Sequence, residues 1–267
     1  MSSRFAFWVT VLGCAAPLLM YGETVNITLY PSYAGAAGVS GSPNSSAPGF
    51  GSSSWVGNPS ADGGKSELYI PASTLFSSPV TIDDIQSVSY WTNKPGNSGS
   101  PDWSFYIYTA KTGSGDTASW YHTRLNSEPY LTNTPSASDP ANTWHNWTTN
   151  DPSNPMLFYD TARDGGVYGT YTDPTLATLQ SGTYTWANNT SYNYGNDVVN
   201  LFSLQTGSAW ASNFDGVVDG LTVTLKNGDV ANVNLEATPE PGTWGLGLAG
   251  FGLLLLGMRH RRRSAAV

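Results

Sequence analysis

Short runs of alternating apolar and polar residues, separated by Gly- and Asn-rich turns, fill the chain from residue 66 to residue 235. A period of two sends successive side chains to opposite faces of an extended strand. In 86–92, Val88 and Tyr90 fall on one face; in 102–108, Trp103, Phe105 and Ile107 fall on one face and Tyr106 and Tyr108 on the other. Further strand-like runs stand at 66–70, 119–124, 156–159, 182–186, 198–204, 216–225 and 231–235. Lys226, Asn227, Gly228 and Asp229 between the last two carry the Asn-Gly pair that favours a hairpin. Only 173–180 reads as a short helix. Many short strands without a long amphipathic helix predict an all-β fold of the sandwich type.

Residues 31–64 are almost all Gly, Ser, Ala, Pro and Asn. They read as a long loop. The expected division is therefore a signal segment at 1–22, a lead-in with a first strand at 23–64, and the β-sandwich domain at 65–237. Ten Trp and fifteen Tyr argue against disorder, because disordered chains are poor in aromatics. The one cysteine, Cys14, lies in the N-terminal apolar run, so the body can hold no disulfide and no Cys-ligated metal. Between residues 24 and 238, four Lys and two Arg stand against fourteen Asp and three Glu, a balance of −11. That charge excludes nucleic acid as a partner, since Lys and Arg on phosphate supply most of such binding.

Both ends have the marks of export. Arg4 precedes an apolar run from Phe5 to Met20, the layout of a secretory signal, with cleavage candidates after Ala16 and Gly22. At the other end, Pro239, Glu240 and Pro241 precede an apolar span at 243–258 and a cluster of Arg259, Arg261, Arg262 and Arg263. About sixteen apolar residues make a helix of about 24 Å, which snorkelling arginines extend towards the ~30 Å of a bilayer core. The arginines set the cytoplasmic side. In order and spacing, residues 238–264 resemble a PEP-CTERM sorting signal. The resemblance implies a Gram-negative source and processing near Pro239–Pro241 by an exosortase-type enzyme of the inner membrane. It also implies a mature form at the cell surface or outside, in company with exopolysaccharide. The stretch 202–223 bears a fold-level resemblance to the closing strands of concanavalin-like jelly rolls.

Catalytic signatures are scarce. A retaining glycosidase on a jelly roll needs two closely set carboxylates, whereas Glu236 and Glu240, within four residues of each other, read as part of the tail linker. His122 and His145 alone make no zinc site, and no nucleophile elbow or phosphate loop occurs. Asn213, Asp215 and Asp219 offer clustered oxygens, so calcium is a possible ligand there. The aromatics of the central third, with Tyr106, Tyr108, Trp120 and Trp144 foremost, suit the apolar face of a sugar ring. The expectation is a non-enzymatic, carbohydrate-binding surface or matrix protein; the alternative is a polysaccharide-active jelly-roll enzyme.

Overall fold

A computed structural model describes residues 22–58, 64–94, 102–129, 141–166, 169–170, 172–207 and 214–237. The described chain is mostly β. Its larger sheet contains β1 (Thr24–Leu29), β3 (Val39–Pro43), β4 (Ser53–Gly57), β6 (Ile85–Asn93), β9 (His145–Thr148), β13 (Val217–Leu225) and β14 (Val230–Leu235). The second sheet runs β2 (Ala36–Ala37), β5 (Glu67–Pro71), β12 (Val199–Gln205), β7 (Ser104–Thr109) and β8 (Arg124–Ser127). A small hairpin, β10 (Tyr184–Thr185) with β11 (Ser191–Tyr192), and two short helices, α1 (Ala72–Leu75) and α2 (Leu176–Gln180), complete the elements used below.

Alternation decides which residues meet between the sheets. Val88 and Tyr90 of β6, Leu221 and Val223 of β13, and Ala231, Val233 and Leu235 of β14 are fully buried. From the other sheet, Leu68, Ile70, Phe105, Ile107, Phe202 and Leu204 join the same core. This is the arrangement of a β-sandwich. Buried aromatics keep their polar ends satisfied: the indole N–H of Trp103 donates to Gly216 O at 2.8 Å, and the Tyr90 hydroxyl donates to Trp103 O at 2.8 Å. The 226–229 hairpin forms as the Asn-Gly pair predicts, with Gly228 at φ +95°. The expected helix near 173–180 is α2, whose start is capped by the Thr175 hydroxyl accepting from Thr178 N–H.

The stretch read as a loop is part of the sheets. β2, β3 and β4 lie within 36–57, and β1 runs parallel to β14 over the full register from Thr24↔Val230 to Leu29↔Leu235. Gly and Ser have little strand propensity of their own; pairing with β13 and β5 supplies what propensity lacks. Two further runs differ from expectation. The strand expected at 119–124 begins only at Arg124, and 156–159 makes isolated bridges at Leu157 and Tyr159.

Two carboxylates hold the 36–57 region in place. One edge of β13 pairs with β4 at Val217 and Val218 and then with β14 from Leu221, so the ladder changes partner at Asp219 and Gly220. Asp219, fully buried there, accepts from Gly220 N–H (2.8 Å), Leu235 N–H (3.0 Å) and Ala47 N–H (3.0 Å). Glu236, placed in the tail linker by its position in the sequence, is instead 5% exposed and belongs to the fold. Its carboxylate accepts from Ser52 N–H (3.0 Å), Asn234 Nδ2 (3.0 Å) and the Ser53 hydroxyl. Its carbonyl accepts from the Trp55 indole (3.0 Å).

Among the described residues, no helix is long and apolar enough to cross a membrane. The expected signal segment and the apolar span at 243–258 lie outside the described residues, as do the motif Pro239, Glu240 and Pro241 and the arginine cluster.

Candidate functional site

The outer face of the five-stranded sheet carries most of the expected aromatic residues. Register brings Tyr69, Ser203, Tyr106 and Asn126 into one row across β5, β12, β7 and β8, and Leu201, Tyr108 and Arg124 into the next. Tyr106 and Tyr108 stand opposite Phe105 and Ile107, as alternation predicts, but they do not face solvent. They are 7% and 2% exposed and form a second cluster with Tyr121. The reading of these two tyrosines as an open ligand surface is therefore corrected: the segment 110–123 folds over them.

Trp120 stands at the tip of that segment and is 43% exposed. Its ring lies 4.7 Å from Tyr108 at 30°, 4.6 Å from Tyr121 at 75°, and 6.2 Å from Tyr69 edge-on. Beneath it, Tyr106 and Tyr108 stack at 6.2 Å and 24°. Gln205 Nε2 donates to the Tyr108 hydroxyl at 3.0 Å. Burial pushes the phenols of Tyr69, Tyr106 and Tyr108 upward, so they stay neutral across the physiological range. The result is one half-exposed indole fixed on a floor of neutral tyrosines.

Long-range contacts hold the tip. Asp116 accepts from Thr112 N–H (2.9 Å) and Gly113 N–H (3.0 Å), which keep its carboxyl below the usual range with help from His122. The arms close through Thr117 N–H to His122 O (3.0 Å) and Ala118 N–H to Tyr121 O (3.3 Å). His122, 5% exposed, meets Asp116 through Nδ1 (3.0 Å) and the Tyr192 hydroxyl through Nε2 (2.8 Å). Tyr192 in turn donates to Asp197 (2.8 Å) and lies 3.9 Å beneath the Arg163 guanidinium. A hydrolytic triad would need a hydroxyl nucleophile on the ring nitrogen opposite the carboxylate. Here the Thr112 hydroxyl (3.1 Å) shares Nδ1 with Asp116, and Nε2 is occupied by the half-buried Tyr192 phenol. The dyad positions the loop.

The remaining candidates are dispersed. Trp144 is half-buried just ahead of β9, on the other sheet. Trp103 and Trp147 are core residues. Asp215 is exposed, Asp219 is buried and saturated by three backbone N–H groups, and Asn213 lies outside the described residues. Asp215 and Asp219 thus stand in different surroundings, one in solvent and the other among backbone N–H groups. No group of three or more His, Cys, Asp or Glu suited to a metal occurs among the described residues. Glu67 and Glu128 bracket the tyrosine face. They stand on or just after the strands β5 and β8, three strand spacings apart, or about 14 Å.

Glu236 N–H donates to Leu29 O (2.9 Å) and Ala237 N–H to the Ser53 hydroxyl (2.8 Å). The next residues carry the one recognised signature.

Residues 237–263 match the PEP-CTERM protein-sorting motif. The PEP-CTERM motif marks an exported, membrane-processed protein of Gram-negative bacteria, handled by an exosortase-type enzyme. The match begins at Ala237, whose N–H donates to the Ser53 hydroxyl. No curated protein and no solved structure matches the chain. The likeness to concanavalin-like jelly rolls accordingly rests on the sequence of 202–223 alone.

Proposed function

We propose that the folded domain is a non-catalytic saccharide-binding module, delivered to the cell surface or its polysaccharide matrix by the PEP-CTERM signal. In this reading the precursor is held in the inner membrane by the apolar span at 243–258 until an exosortase-type enzyme processes it. The observation that carries the binding role is Trp120. It is the most exposed large aromatic among the described residues, and it is rigidly backed by Tyr108, Tyr121 and Tyr69. A pre-oriented flat apolar face costs little conformational entropy when a pyranose packs on it. The body's balance of −11 opposes polyanions, so the ligand is a neutral or cationic saccharide, or an anionic polymer bridged by a cation such as calcium.

Titration of the processed protein with soluble glucans and mannans, with and without calcium, tests this. Binding should quench or shift tryptophan emission. Trp120→Ala should weaken affinity at least about tenfold, or about 1.4 kcal/mol, while leaving the unfolding midpoint nearly unchanged because the side chain is half in solvent. Silence across the panel, or equal affinity of parent and variant, overturns the assignment.

A further inference from the structure

A second site lies on the opposite side of the sandwich. The segment 44–52 between β3 and β4 arches over the outer face of the seven-stranded sheet, held by Ala47 N–H on Asp219 and Ser52 N–H on Glu236. Between the arch and the strands β1 and β14 runs a groove of about 340 Å³, lined by Asn26, Thr28, Phe50, Gly51, Asn232 and Asn234 among others. That volume falls at the small end of ligand sites, roughly 300–1,000 Å³. No charged side chain lines the groove.

Its chemistry is set by strand register. In the parallel pair, Asn26 lies beside Asn232 and Thr28 beside Asn234, all on the outward face. The Thr222 hydroxyl donates to Asn232 Oδ1 (3.0 Å), and Asn232 Nδ2 donates to Asn26 Oδ1 (2.9 Å). This fixes the amide of Asn26 with its N–H₂ end turned away from the bond. At the other end, Asn234 gives its Nδ2 to Glu236, while its Oδ1 is buried and has no hydrogen-bond partner. The exposed Asn26 amide thus keeps its N–H₂ to donate to a ligand, whereas Asn234 Oδ1 is sealed behind the row. Phe50 supplies an apolar wall. Its ring lies against the Cα of Gly220, where a Cβ would come within 2.5 Å of a ring carbon, and Gly220 holds φ +62°. The half-buried ring thus rests on Gly220 before any ligand arrives.

We propose that this groove is a second binding site, for a neutral saccharide. A sugar hydroxyl accepts from the Asn26 amide, while the sugar's C–H face meets Phe50. A charged ligand finds no counter-charge in the lining, and the site shares no residue with the Trp120 face on the other sheet.

Calorimetric titration of the processed protein with linear neutral gluco-, manno- and galacto-hexasaccharides decides the matter by stoichiometry. The parent should bind two equivalents of a recognised saccharide and Trp120→Ala one. Adding Asn26→Ala or Phe50→Leu to Trp120→Ala should weaken the remaining binding at least fivefold. Phe50→Leu keeps an apolar plug over Gly220, and if it nonetheless fails to fold, the exposed Asn26→Ala carries the test. One equivalent in the parent, abolished by Trp120→Ala, overturns the groove and leaves the Trp120 face standing. One equivalent abolished by Asn26→Ala and untouched by Trp120→Ala does the reverse. Absence of binding overturns both.

Discussion

Replacing Asp219 with alanine should destabilise the domain by about 3 kcal/mol at pH 7, and by more in acid. The side chain sits where β13 exchanges β4 for β14 as its neighbour, and it accepts three backbone N–H groups that have no strand partner in that geometry. Leaving a buried donor unpaired costs about 1–3 kcal/mol each. Against this stands the cost of burying a charge. Burial raises the Asp219 carboxyl from 3.8 to about 6, although all three N–H bonds pull the other way. A group raised in the folded state contributes most to stability below its unfolded value, and that contribution is lost as the pH rises through 6. The shift from 3.8 to about 6 corresponds to about 3 kcal/mol. The penalty of Asp219→Ala should therefore shrink by about that amount between pH 4 and pH 7. Asp219→Asn keeps one oxygen for Gly220 and Leu235 but turns its amide against Ala47 N–H. It should lose less than the alanine variant and differ from the parent less at pH 7 than at pH 4. Urea unfolding of the three proteins at pH 4, 5.5 and 7 gives the answer. A loss below about 1 kcal/mol throughout, or one that grows with pH, would contradict this account of the split.

Glu236 titrates in the opposite sense. Burial raises its carboxyl, but the bonds from Ser53, Asn234 and Ser52 outweigh that and the net shift is downward. Its contribution is present above the ordinary glutamate value of 4.5 and is lost as the pH falls below it. The two anchors of the 44–52 arch thus respond oppositely to acid. Their different surroundings explain this: Asp219 is sealed beneath the arch, whereas Glu236 lies at its rim among hydroxyl and amide donors.

What the sequence discloses and what it hides follow from range. The alternation at 86–92 and 102–108 is legible because each strand shows one face to a core, and Val88, Tyr90, Phe105 and Ile107 obey it without exception. The Asn-Gly hairpin and the Thr175 cap are local devices and are legible for the same reason. The burial of Tyr106 and Tyr108 is not. Alternation places them correctly on the outer face, but their cover is held by His122 reaching Tyr192, seventy residues away. The strands within 36–57 are hidden too, since their Gly and Ser residues become strands only through pairing, and β13, Asp219 and Glu236, more than 150 residues distant, hold the region in place. Glu236 was masked by its place next to the sorting motif. Trp120 and Trp144 carry equal weight as sequence candidates; exposure on a fixed aromatic floor distinguishes the first.

Changing Glu240 to alanine should leave export intact and abolish processing in the native host. Glu240 lies inside the segment that matches the PEP-CTERM motif, between Pro239 and Pro241 and ahead of the apolar span at 243–258. Proline on either side disfavours helical backbone around the glutamate, which suits an extended substrate for a membrane-bound processing enzyme. The carboxylate is also the one charged group between Ala237 and Arg259, so its removal erases the electrostatic mark that such an enzyme can read outside the bilayer. The ties described at this end of the domain, Glu236 N–H on Leu29 O and Ala237 N–H on the Ser53 hydroxyl, do not involve Glu240. The expected result is accumulation of full-length precursor in the membrane fraction, while the parent matures to a shorter form. Glu240→Gln tests whether charge or shape is read: recovery of processing by glutamine assigns recognition to the amide-sized side chain, and continued failure assigns it to the charge. Fractionated cells examined by immunoblot and intact mass show either outcome. Identical mature masses for parent and Glu240→Ala would mean that this glutamate is not what the processing enzyme recognises.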